Sequence, residues 1–157
     1  MTLLLAVAIG FIAGLRSMTA PAAVAWAVSF GWLSLEGTPL AFLGSAAARY
    51  ILLVLMVGEL VLDKLPFTPS RTRPGPFMGR VVAGALSGAA LLAGLGESLP
   101  LGALAGGIGA VGGTLAGYRA RTGLVRALGV PDYVVAVLED VVAVGGALLV
   151  VAAGSIG

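Results

Sequence analysis

The chain has no cysteine and no histidine among its 157 residues. The first absence excludes disulfides and thiol chemistry. The second removes the commonest metal ligand and general base, so the hydroxyls of Ser17, Thr19, Ser70 and Thr72 have no imidazole to activate them. Charge is scarce as well, at 10% of residues, where a soluble domain carries about 25%. Aromatic residues make up only 6%. What fills the chain is apolar: 59% hydrophobic residues, 25 glycines and a mean hydropathy of +1.10. So few polar groups cannot cover a soluble globule. The apolar runs approach the ~20 residues that cross a bilayer and show no strict alternation, which disfavours a membrane β-barrel. The expectation is one integral membrane domain, all α-helical, with about six transmembrane helices.

Six apolar runs place these helices near 3–15, 22–33, 40–62, 79–95, 101–118 and 132–153. The first lacks the basic leader of a signal peptide and reads as a membrane segment. The first two are short, so they either thin the bilayer or form a re-entrant hairpin. Pro21, Pro39, Pro100 and Pro131 each stand near the start of a run, where a missing N–H costs nothing. Between the third and fourth runs lies a basic, proline-rich loop, 63–78. The stretch Glu59–Arg80 holds six of the sixteen formal charges and four of the eight prolines.

If all six runs cross, eight of the nine basic residues share one side: Arg16, Lys64, Arg71, Arg73, Arg80, Arg119, Arg121 and Arg126. Glu36 and Glu97 fall on the other. The net charge of +2 then reads as positive-inside topology and not as nucleic-acid binding. It makes the basic side cytoplasmic, in a bacterial inner membrane, with both termini outside. Arg49 is the exception, within snorkelling reach of the outer interface.

Acidic residues sit inside the apolar runs. Glu59 is one turn before Asp63 on the same helix face, and Glu139-Asp140 lies some 10 Å into the last helix at 1.5 Å per residue. A carboxylate at that depth costs several kcal/mol unless it is paired, protonated or wet. The third and last helices should therefore face each other or a polar cavity, with Arg16 and Arg119 as counter-charges. The candidate binding cluster is Arg16, Glu59, Asp63, Lys64, Arg119, Glu139 and Asp140. Arg71, Arg73 and Arg80 are candidates for gripping an anion or lipid headgroup. The carboxylates could hold a divalent cation, although their spacing matches no cation motif. No cofactor is implied.

Glycines four apart, at Gly84/Gly88, Gly102/Gly106 and Gly109/Gly113/Gly117, form flat stripes that pack one bundle or join two copies in a homodimer. A weak internal echo links Ala13-Gly14-Leu15-Arg16 to Ala116-Gly117-Tyr118-Arg119.

Three blocks carry a resemblance: Ala13-Gly14-Leu15-Arg16 with Pro21; Glu59 through Asp63-Lys64-Leu65-Pro66, then Arg73-Pro74 and Gly79 to Gly84; and Pro131 through Val134-Val135 to Leu138-Glu139-Asp140. In this order they resemble a family of small bacterial integral membrane proteins catalogued as a domain of unknown function. Its pattern is AGLR, E-x-x-x-DK-x-P, R-P-x-x-GAL and N-P-x-x-S-x-x-ED. The chain departs from that pattern in the stretch Arg119–Gly123, which is shorter than the family's usual connection, in Asp132, and in Arg49. The resemblance implies a polar cluster built from the matched residues and brings no activity. The expected function is a small transporter or channel-like protein. The alternatives are a lipid-headgroup enzyme at the cytoplasmic face and a non-catalytic scaffold.

Overall fold

The computed structural model describes residues 1–65 and 70–156. Part of the expected loop, including Pro66 and Pro69, lies outside the described residues. Six α-helices follow in order: α1 Thr2–Leu15, α2 Thr19–Ser29, α3 Ala46–Leu62, α4 Pro74–Gly94, α5 Leu99–Leu128 and α6 Asp132–Ile156. A 3₁₀ turn, Ala41–Gly44, precedes α3. No strand occurs among the described residues.

Among the described residues only α4, α5 and α6 are long and apolar enough to cross a membrane, not six helices as the apolar runs suggest. At 1.5 Å per residue, the 14 residues of α1 and 11 of α2 reach about 21 and 16 Å, against a hydrocarbon core of ~30 Å. They form a two-armed hairpin. α1 runs parallel to α5, so that Gly10 meets Gly106 and Gly14 meets Ala110. α2 then returns, and Leu33 just beyond it packs on Gly94 at the far end of α4. α4 and α6 pack against both arms.

The helix boundaries differ from the apolar runs for local reasons. α2 starts three residues before the expected 22, because Pro21 fits inside its first turn. α4 starts at Pro74, five residues early, because Pro74 and Pro76 are both tolerated there. α3 starts late, at Ala46, where the Ser45 side chain accepts the Ala48 amide hydrogen at 3.1 Å. α5 continues ten residues past Tyr118, since Arg119–Arg126 contains no proline and the single Gly123 is not enough to end it. It stops at Gly129, which takes the left-handed conformation at φ 63°, two residues before Pro131.

The core of the bundle is α1, α4 and α5, packed backbone to backbone. α4 and α5 are antiparallel, with Gly84 against Gly106 and Gly88 against Gly102. A Cβ on Gly14 would lie 2.6 Å from the Thr114 amide nitrogen, and one on Gly88 2.8 Å from the Gly106 Cα. The glycine stripes are thus occupied by the chain's own helices. At the far end, Arg49 stacks on Trp26 and Tyr50, 5.0 Å from each ring centroid, and donates to Ser29. Aromatic contact and a hydroxyl therefore hold it, beside the snorkelling reach expected from the sequence.

Peripheral α3 contrasts with this core. It buries no residue fully and packs chiefly on α2 and the 3₁₀ turn.

Replacing Gly106 by alanine should lower the thermal midpoint in detergent sharply, because backbone cannot yield to the new methyl. Gly145→Ala, where a Cβ meets nothing within 4 Å, should raise stability by up to ~1 kcal/mol. A midpoint for Gly106→Ala equal to the parent's would refute the close packing.

Candidate functional site: a charge layer at one end of the bundle

The break between α1 and α2 sets the site. Arg16 is extended, at φ −140° and ψ 108°, and ends the helix inside the bundle. Both sides of the break expose polar backbone that must find partners away from water. Arg80 of α4 donates to the Gly14 and Leu15 carbonyls at 3.4 and 3.2 Å, and Thr114 of α5 donates to Gly14 at 3.3 Å. Glu59 of α3 takes the other side. It accepts the amide hydrogens of Ser17 and Met18 and the Ser17 hydroxyl, each at 2.8 Å. A carboxylate is thereby placed where the dipole of α2 favours negative charge.

Arg16 itself is fully buried, at 0% exposure. Its Nε donates to Asp140 Oδ1 at 2.6 Å, its Nη1 lies 2.5 Å from Asp63 Oδ2, and its Nη2 reaches the Ala136 carbonyl at 3.3 Å. Glu139 stands 3.6 Å away. Each carboxylate has a second cation. Lys64 pairs with Asp140 and donates to the Leu60 carbonyl at 2.7 Å. Arg71 grips Glu139 through both nitrogens, at 2.5 and 2.8 Å. Arg121 joins Asp63 at 2.5 Å to Asp132 at 2.5 and 2.8 Å. Arg80 lies 3.7 Å from Glu59. Five cations and five carboxylates from α1, α3, α4, α5, α6 and the 63–73 segment thus make one balanced layer. Bidentate and charge-assisted bonds of this kind are the strong class.

The structure brings together Arg16, Glu59, Asp63, Lys64, Glu139 and Asp140 of the expected cluster. Arg119 is not among them. It lies exposed on α5, and Arg121 fills the role expected of it, because two residues along a helix turn the side chain to another face. Of the candidates for gripping an anion or lipid headgroup, Arg71 and Arg80 are buried and pair with carboxylates of the layer, while Arg73 is exposed. Asp132 and Arg121 are the members that sequence reasoning missed as partners; an acid opening one helix and a base near the end of the previous one was the available signal. Among the described residues no group of acidic side chains is arranged to hold a metal ion. The carboxylates face arginine and lysine instead.

Three cavities border the layer or its neighbouring helices. One of about 500 Å³ lies between α3 and α4, over Ser17, Glu59, Asp63 and Arg80. Another, about 260 Å³, is lined by Phe11, Leu15, Leu124 and Val142, with Arg121 and Glu139 at its edge. The third, about 240 Å³ and almost wholly apolar, separates α3 from α6 and contains the buried Thr19 hydroxyl.

With this geometry in place, comparison with known proteins assigns the family. A family model described as a domain of unknown function, DUF4126, matches residues 3–156. The chain belongs to the DUF4126 family. No curated protein and no solved structure matches it. Membership agrees with the resemblance read from the sequence and assigns no activity. Together with three span-length apolar helices, it describes a membrane protein of an uncharacterised family.

Burial alone would raise the Asp63 carboxyl, but Arg16 and Arg121 outweigh it and leave its pKa below the usual aspartate value. A group depressed on folding contributes stability above its unfolded pKa of about 3.9 and loses it as pH falls through the folded value. The thermal midpoint of the protein should therefore drop from about pH 4 downward, and Asp63→Asn should show a smaller acid-dependent loss. Arg16→Leu, which strands buried carboxylates, should cost on the order of 3–5 kcal/mol in detergent unfolding. A neutral outcome would show that the layer contributes no net stability.

Proposed function

We propose that this DUF4126 protein is a small solute carrier of the bacterial inner membrane, with the charge layer as the closed gate at its cytoplasmic end. The observation that carries the reading is the attachment of α3. This helix buries no residue, has cavities on both sides, and reaches most of the bundle through Glu59, Asp63 and Lys64. Ion pairs can be exchanged for others or for solvent at small net cost, whereas the glycine-packed core cannot slide without clashes. An α1/α2 break whose ends are met by charged side chains is also the kind of element from which transporters build midplane sites.

The charges outside the layer support the orientation. At the layer end these are Arg73, Arg119 and Arg126, all basic. Glu36, Glu97 and Arg49 remain for the other end. The excess of free positive charge supports a cytoplasmic position for the layer under the positive-inside rule. Met1 and the end of α6 lie at the far end, since α1 runs toward the layer and Gly154 packs near Leu91 and Leu95 of α4. Both termini would then be outside.

The gate can be locked. The chain has no native cysteine, and Gly58 and Gly79 border the α3–α4 cavity with room for a side chain. The double variant Gly58→Cys/Gly79→Cys, joined by a reducible bis-thiol reagent, should hold α3 against α4. In liposomes, flux should be measured for protons, sodium, potassium, chloride and phosphate. The expected result is flux of at least one probe that falls to the empty-liposome level on cross-linking and returns on reduction. Absence of flux for every probe, or flux indifferent to the cross-link, would leave the layer as a structural staple.

A further inference from the structure

The cavity between α3 and α4 borders the most weakly paired cation of the charge layer. Arg80 lines it and is only 6% exposed, yet its nearest carboxylate oxygen is 3.7 Å away, where the other four cations of the layer each have one within 2.5 Å. Its Nε has no hydrogen-bond partner among the described residues. A buried guanidinium left short of an anion is costly. Two helical glycines, Gly58 and Gly79, border the same space, and a Cβ on either would meet nothing within 4 Å. Glycine inside a helix costs about 1 kcal/mol relative to alanine, and here no atom of the described residues approaches to explain it. Close approach of something other than this chain would.

We infer that this cleft holds the phosphate of an anionic membrane phospholipid beside Arg80, with an acyl chain lying along Val54 and Leu55. Phosphate oxygens suit the forked donors of arginine. Glu59, the carboxylate next to the site, directs its two oxygens at Ser17 and Met18, so its charge is engaged by the start of α2. The apolar wall selects a lipid over a free anion. Val54 and Leu55 are exposed, and they sit four to five residues before Glu59, about 6–8 Å toward the far end of the bundle. The polar floor and apolar wall therefore follow the order of a phospholipid's headgroup and tail. This site does not depend on the protein moving a solute.

The test uses the whole protein in neutral detergent, titrated with phosphatidylglycerol, phosphatidylcholine or inorganic phosphate, and read by thermal midpoint and by lipid retained in native mass spectrometry. Phosphatidylglycerol should raise the midpoint and bind roughly tenfold more tightly than phosphatidylcholine. Gly58→Leu and Gly79→Leu fill open space, so each should unfold no lower than the parent without lipid and should lose the lipid-induced shift. Arg80→Lys keeps the charge but not the fork and should weaken retention roughly tenfold. Equal stabilisation of both leucine variants would place the lipid elsewhere. A full shift from inorganic phosphate alone would make this a free-anion site, and no shift from any probe would leave the cleft empty; either overturns the proposal. Failure of both leucine variants to fold would overturn it too, since the cleft would not be open.

Discussion

The structure depends on one buried guanidinium. Arg16 ends the first helix at zero exposure and is shared by carboxylates from α3 and α6. Moving such a cation out of water costs several kcal/mol even after relaxation. It is tolerable here because Asp63 and Asp140 approach within 2.5 Å and because each of them is held by a second cation. The layer is therefore better regarded as a single neutral object than as separate salt bridges. Removing one member leaves the others charged and unmatched, so the energetic weight of any residue is a property of the set.

Two kinds of adhesion divide the bundle. α1, α4 and α5 are joined by glycine faces, where contact is between backbones and is lost over fractions of an ångström. α3 has no comparable contact and relies on electrostatic partners at its end. The first kind is rigid and indifferent to salt. The second can be rearranged, because one anion can replace another around a guanidinium. Rigidity and exchangeability thus occupy different helices of the same small domain.

Much of this was legible beforehand. Hydropathy marked the membrane class and the helical content, and the depth of Glu139-Asp140 in an apolar run required the cations that the structure supplies. What composition could not mark was where a helix ends. The apolar run of α5 ends at Tyr118, but backbone hydrogen bonding ignores side-chain charge, and the helix goes on to Leu128. That error of one element also moved the expected partner from Arg121 to Arg119, since face is set by helical phase. Arg71 in the expected loop and Arg80 at the start of the expected fourth helix read as cations for an anion or a headgroup, because a positive charge near a helix end usually faces water. Neither spacing nor composition reveals that Glu139 and the end of α1 come to meet them. The number of spans was overestimated for a similar reason: an apolar run reports preference for lipid and not the length of the helix that forms.

The pairing of Arg16 with Asp140 also constrains how the protein is made. The two residues are 124 positions apart, at opposite ends of the sequence. A membrane chain is synthesised from its start, so the α1/α2 hairpin emerges well before the carboxylates of α6 exist. Through most of translation Arg16 has at best the partial company of Asp63, and the acids of α6 arrive last. The early segments must then wait near water or the insertion machinery, and can sink to their final depth only when the last helix enters. Assembly of the layer must await α6, and a nascent protein cut short before α6 would retain a cation it cannot bury.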